Sequence, residues 1–274
     1  MVEATRVPDR RFLAETAAMA GNIMRAHFTY PGGMKRELKS DKTFVTITDR
    51  EINAMLNRRL ASYPGVALIC EEGGKLPPRT EVEVIADELD GTAPYSSGIP
   101  TCVFMAAVSV RGELKHTVMN DAIMRRAYAA SLGEGSYAGI TEGEQRIQLK
   151  TASVSKIENY PRVGVATWPG CGSDMLGIAK VLEQIGFRTE GVASIGYADM
   201  LVAAGEYAGV IFPGSSLYDT APGDLLVREA GGVTSDLQGR PLRYDIDRLD
   251  GHITACNEFF LDVLLQTVRK YRHG

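Results

Sequence analysis

Histidine and cysteine are scarce in this chain, at four residues each among 274. Cys70, Cys102, Cys171 and Cys256 form no C-x-x-C pair, so neither a structural zinc site nor a disulfide framework is indicated, and reduced, buried thiols are expected. His27, His116, His252 and His273 are scattered and match no catalytic pattern. Long apolar runs are missing too. The longest, Cys102 to Val108, falls far short of the roughly 20 residues that span a bilayer, so no membrane partner is expected. The stretch MVEATRVPDRRFLAE has acidic residues and no apolar core, so it carries no export signal and a cytoplasmic location is expected. There is no long basic block either. Against 34 Asp and Glu, 30 Lys and Arg leave a formal net charge of −4, which argues against a nucleic-acid partner held by a general electrostatic footprint. Gly73-Gly74-Lys75 lacks the spacing and the following Ser or Thr of a P-loop, and no G-x-S-x-G elbow occurs.

What remains is an ordinary globular composition, 45% hydrophobic and 23% charged, long enough for one large domain or two modest ones. Leu13, Ala17, Ala20, Met24 and His27 recur at helical spacing, predicting a helix from near Asp9 to before Pro31. A second helix is expected with Thr48 as its cap, Glu51 in capping-box position and Ile52, Met55, Leu56 and Leu60 as its buried stripe. Two β-rich runs follow, Val66 to Cys70 and Val82 to Ala86, each ending in acidic residues. From Thr101 to Ala138, apolar runs broken by turn residues predict an antiparallel meander. After Arg162 strands and helices alternate. The expected helices run from about Ser173 to Ile185, through Asp199 to Ala204, from about Thr220 to Ala230 and at the carboxyl end. The chain therefore reads as α/β with an α+β first half, divided into residues 1–150 and 151–274 within the polar stretch Glu142 to Ser155.

The segment Val84-Ile85-Ala86-Asp87-Glu88-Leu89-Asp90-Gly91-Thr92 carries the most chemistry. An apolar strand running into D-x-x-D-G-T brings two carboxylates to one turn, and the glycine lets backbone N–H groups approach an anion. Oxygen ligands with no histidine or cysteine beside them favour Mg²⁺ over zinc. An isolated acidic turn would more often be solvated surface, but this one has company. Glu71 and Glu72 end the preceding strand, Asp49 stands in T-I-T-D before a helix, and Asp219 stands in Y-D-T-A-P-G at another helix start.

With these four segments in this order, the chain resembles the inositol monophosphatase family, the Mg²⁺-dependent, lithium-sensitive phosphatases, from about Asp9 to Asp236. DELDGT stands for the family's D-P-I-D-G-T, Cys70-Glu71-Glu72 for G-E-E, T-I-T-D for T-x-x-D, and Y-D-T-A-P-G for W-D-x-A-G. The resemblance implies a layered αβαβα sandwich and two or three Mg²⁺ ions. It places Glu71, Asp87, the Leu89 carbonyl, Asp90 and Asp219 as metal ligands, and Thr92 with Asp49 as the pair that orients the attacking water. Glu71 shares in that catalytic group, Gly91 and Thr92 would hold the phosphate through their N–H groups, and no covalent phosphoenzyme is expected. Tyr197, Ala198 and Asp199 fall where relatives line the leaving-group side. Because relatives are often dimers, a homodimer is an expectation.

Departures from the family pattern bear on specificity. Glu88 replaces the proline between the two acids and is expected to face solvent, or else to support a metal ligand. Phe212 stands where inositol-preferring relatives carry a hydroxyl-binding glutamate, so it would either stack on a base or sugar or pack into the core. Lys39 matches a basic residue near a metal-site acid. The expected substrate is a small phosphate monoester of a polyol, sugar or nucleoside, with a 3′-nucleotidase or histidinol-phosphatase as variants. A regulatory protein of the same fold, binding a macromolecular partner, is the competing class.

Overall fold

Asp9 starts the first helix, α1 (Arg10–His27), by accepting a hydrogen bond from the Phe12 N–H at 2.8 Å. Leu13, Ala17, Ala20 and Met24 form its buried stripe, and the larger of these contribute about 1.5–3 kcal/mol each on leaving water. A hairpin of β1 (Arg36–Leu38) and β2 (Phe44–Thr46) leads into α2 (Ile47–Leu60). Thr46, not Thr48, caps α2. Thr46 keeps an extended backbone and accepts from the Thr48 N–H at 3.2 Å, and the Asp49 carboxylate completes the box by accepting from the Thr46 N–H at 2.7 Å. Thr48 already lies in the first turn, its hydroxyl 3.0 Å from that of Tyr95. The computed structural model describes residues 5–29, 35–40, 44–140, 146–151, 161–166, 174–214 and 216–272. Cys171, the expected helix starting point Ser173, and much of the stretch from Glu142 to Ser155 lie outside them. Cys70, Cys102 and Cys256 are free and buried, as expected.

The strands β3 (Val66–Cys70) and β4 (Val82–Asp90), the short helix α3 (Thr92–Ser96), and the strands β5 (Val103–Val110), β6 (Glu113–Asp121), β7 (Arg126–Ser131), β8 (Gly135–Ile140) and β9 (Arg146–Gln148) follow. The strands form one seven-stranded sheet in sequence order. Only β3 and β4 pair in parallel, with Cys70 opposite Ala86, so both deliver their acidic ends to one edge; the others form the expected meander. The same edge receives the start of β5, the end of β6 and the start of β7, through the pairs Asp90↔Val103, Phe104↔Asn120 and Asp121↔Arg126.

A second sheet is built from β10 (Arg162–Ala166), β11 (Arg188–Val192), β12 (Gly209–Phe212), β13 (Val233–Ser235) and β14 (His252–Ala255), in the order β11-β10-β12-β14-β13. Between and after these strands run α4 (Met175–Gln184), α5 (Ile195–Ala203), α6 (Leu217–Glu229) and α7 (Glu258–Arg272). α1 and α2 cover one face of the seven-stranded sheet, α5 and α6 lie between the two sheets, and α4 and α7 cover the outer face of the five-stranded sheet. The result is the αβαβα sandwich, each layer burying its apolar stripe against a sheet. α5 and α6 approach closely at Gly223, where an added Cβ would lie 2.0 Å from Asp199 Oδ2.

Candidate active site

Two acids three residues apart on a regular strand point to opposite faces of the sheet. β4 avoids this with a register shift between Asp87 and Asp90. Ile85 packs into the central layer with α5 and α6, and Asp87 follows it by two on the same face. Glu88 and Leu89 then both turn toward α2, and Asp90 returns to the central face. Glu88 is accordingly fully buried, not solvent-facing. Its carboxylate accepts from Asn53 Nδ2 at 2.6 Å, on the side of the sheet away from Asp87. The extra residue of the bulge, invisible in a spacing rule, is what turns it inward.

Asp219 arrives in the first turn of α6, which begins at Leu217, three residues earlier than the sequence pattern suggests. One carboxylate oxygen from each of Asp87, Asp90 and Asp219 lies within 4.8 Å of the other two. Burial first, and then the charges of the neighbouring acids, push the pKa values of Asp87 and Asp219 well above the usual carboxylate range. Burial likewise raises Asp90, to about 6, although three hydrogen bonds from α5 oppose it. Three facing carboxylates with such strained ionisation fit a hard divalent cation held by oxygen donors.

Asp90 is held by the amino end of α5. The Ser194 hydroxyl donates to its Oδ2 at 2.6 Å, the Gly196 N–H to the same oxygen at 2.7 Å and the Ile195 N–H to Oδ1 at 3.2 Å. α5 starts at Ile195, with Ser194 as its cap, and runs through Asp199 as expected. Glu71 opens a single 3₁₀ turn, Glu71–Gly73, at the end of β3. It stands outside the three-acid group but close enough to raise the pKa values of Asp87 and Asp219. Lys39 Nζ donates to Glu71 at 2.8 Å and to Glu72. Burial outweighs the effect of Lys39 and lifts Glu71 to about 7.

The Leu89 carbonyl accepts from the Thr92 hydroxyl at 2.9 Å, and the Leu89 N–H donates to Asp87 Oδ1 at 2.8 Å. That Thr92 hydroxyl also lies 3.1 Å from Asp49 Oδ1, so the two residues stand in hydrogen-bond contact across 43 positions. Gly91 sits between Asp90 and Thr92 at φ +86°, and an added Cβ there would meet the Thr101 carbonyl at 2.7 Å. Only glycine suits that turn.

The leaving-group candidates divide. Tyr197 is half-buried, and its hydroxyl accepts from Arg126 Nη2 at 2.8 Å. Ala198 is 1% exposed, and Asp199 is fully buried with its Oδ1 accepting from Thr254 at 2.7 Å, so the Asp199 side chain is enclosed by α6 and β14 rather than offered to a substrate. Phe212 is 8% exposed and packs on His252 with ring centroids 5.2 Å apart, which is the core-packing alternative and not a stacking face. Ser194, on Asp90, and Arg126, on the Tyr197 hydroxyl, carry no signal in the sequence, because these partners lie 104 and 71 positions away.

The sequence profile of the inositol monophosphatase family matches residues 7–273. The chain is 28% identical over 272 residues to the Nus factor SuhB of Escherichia coli K12, covering 96% of each. It is 29% identical over 272 residues to the inositol-1-monophosphatase of Mesorhizobium japonicum, covering 94% of this chain and 95% of that one. Among solved structures, a Thermotoga maritima IMPase shares the fold with a TM-score of 0.79 at 20% identity, covering 95% of this chain and 96% of the other.

Proposed function

The chain belongs to the inositol monophosphatase family, and from that premise we propose that it is a Mg²⁺-dependent hydrolase of small phosphate monoesters. The observation that carries this reading is the convergence of Asp87, Asp90 and Asp219 from two separate elements of the fold. With Glu71 and the Leu89 carbonyl, these acids would hold two or three Mg²⁺ ions. Bound there, the ions supply positive charge to the phosphate oxygens and make water more acidic. Residues 1–150 and 151–274 are taken as two units that each contribute acids to this cluster. Lithium sensitivity, a homodimer and a cytoplasmic location belong to the same reading.

The chain's own groups do the positioning. Thr92 has one hydroxyl hydrogen to share between Asp49 Oδ1 and the Leu89 carbonyl. Donated to Asp49, it leaves the Thr92 oxygen free to accept from a water and aim that water at phosphorus. The N–H groups of Gly91 and Thr92, at the start of α3, receive the phosphate. Phe212 has no acceptor for inositol hydroxyls at its position, which supports an alcohol other than inositol.

Phosphate release from a panel of monoesters, with and without Mg²⁺ and Li⁺, tests this reading. Release is expected only with Mg²⁺, and Asp90→Asn is expected to reduce kcat by on the order of 100-fold or more. Full turnover by Asp90→Asn would show that the site is wrongly placed. A second reading, a regulatory protein that keeps the fold and binds a macromolecular partner, is supported by the name Nus factor carried by the Escherichia coli relative. It would lead if the panel gave no release at all.

A further inference from the structure

Arg126 stands at the acid-bearing edge of the seven-stranded sheet and has no part in the chemistry above. The pairs Asp90↔Val103, Phe104↔Asn120 and Asp121↔Arg126 place it three strands across from Asp90, about 14 Å at roughly 4.8 Å per strand. It also points the right way. Tyr128 and Ala130, two and four residues further along β7, pack into the central core with α5 and α6, so Arg126 projects to that face, as Asp87 does.

Its guanidinium is fixed along one edge. Nε and Nη2 donate to Asp121 Oδ2 at 3.0 and 2.7 Å, and Nη2 donates to the Tyr197 hydroxyl at 2.8 Å. Asp121 is fully buried, and its other oxygen accepts from the Met124 N–H at 3.2 Å. Tyr197 directly follows Gly196, whose N–H holds Asp90. Acid cluster, helix end, tyrosine and arginine therefore form one continuous wall. The Arg126 side chain remains 39% exposed, and its Nη1 has no partner among the described residues.

A guanidinium clamped on one edge and open on the other has already lost the freedom that anion binding would otherwise cost it. Resting on the phosphatase reading, the geometry points to Arg126 as a specificity-determining residue whose Nη1 binds a second phosphate on the alcohol half of the substrate, with Asp121 and Tyr197 as its positioning residues. The span between the strands, shortened by the inward reach of both side chains, suits a phosphorylated sugar or nucleoside and exceeds a compact triol.

The test compares fructose 1,6-bisphosphate with glycerol 2-phosphate. In Mg²⁺, Arg126→Met is expected to lower the ratio of kcat/KM for the bisphosphate over that for the monophosphate by about tenfold to hundredfold, the worth of one charge-assisted contact. The loss should lie mainly in KM, and Arg126→Lys should recover part of it. Because Arg126→Met strands the buried Asp121, the double variant Asp121→Asn/Arg126→Met is measured beside it and should lose the same discrimination with a smaller drop in Tm. Calorimetric binding of the bisphosphate to the full chain, with Ca²⁺ in place of Mg²⁺, separates the two readings. Binding that Arg126→Met weakens, with no phosphate release from any ester, supports the phosphate contact at Arg126 but ends the phosphatase reading and with it the residue's role in substrate choice. An absence of preference for the bisphosphate in the unaltered protein, or an unchanged ratio in both variants, overturns the inference while leaving hydrolysis intact.

Discussion

The Lys39 ammonium reaches both Glu71 and Glu72. Burial by itself would lower its pKa, but the two carboxylates more than reverse that, so it stays a fixed internal cation. A fixed cation on Glu71 competes with a divalent ion for the same oxygens. Lys39→Met is therefore expected to lower the Mg²⁺ concentration that gives half-maximal phosphate release, measured by Mg²⁺ titration of activity; a higher requirement would mean that Lys39 serves to place Glu71. At this scale the sequence was informative where a motif fixes a backbone, as at Gly91, and misleading where the environment decides. Glu88 and Asp199 are both acids that a pattern sends to solvent or substrate. The bulge and the α5–α6 contact bury them, and neither feature has a local signature.

The elements themselves were legible wherever apolar periodicity is long. α1, the strand Val66–Cys70 and the antiparallel meander follow the pattern closely. Helix starts were less legible. α2 and α6 begin before their expected first residues, and for α2 the deciding contact is a threonine–aspartate box that the spacing pattern does not single out. β13 and the β1–β2 hairpin are three-residue strands, too short for a period to show. Where α5 meets α6, the fit leaves no room for a methyl group. Gly223→Ala is expected to cost about 1–3 kcal/mol in denaturant unfolding, because the new Cβ would sit 2.0 Å from a fully buried carboxylate oxygen. An unchanged midpoint would mean that the helices can slide apart without loss.

Across the whole molecule the acid cluster makes stability depend on pH. Glu71 at about 7 and Asp90 at about 6, both raised chiefly by burial, exceed the ordinary carboxylate value near ~4. The folded chain therefore retains protons that the unfolded chain releases between about pH 4 and 7, and the metal-free protein should lose stability as pH rises through that window. Mg²⁺ binds the ionised acids and should flatten the dependence. Melting at pH 5 and pH 8, with chelator and with Mg²⁺, measures this; an equal fall under both conditions would rule out the coupling. The α+β and α/β halves were legible from the order of strands and helices and the layered sandwich through the family resemblance, whereas the placing of α5 and α6 between the sheets depends on contacts far apart in sequence.

That central layer has a consequence for how the protein is made. Asp87 and Asp90 leave the ribosome more than a hundred residues before Asp219 and the serine that grips Asp90. Until those later stretches dock, the nascent first half carries its acids with nothing to close around an ion. On the metal-dependent reading, chelation of the ion would be a late event in biogenesis, and a chain cut short before α6 would keep most of its acidic residues yet lack the means to assemble the cage.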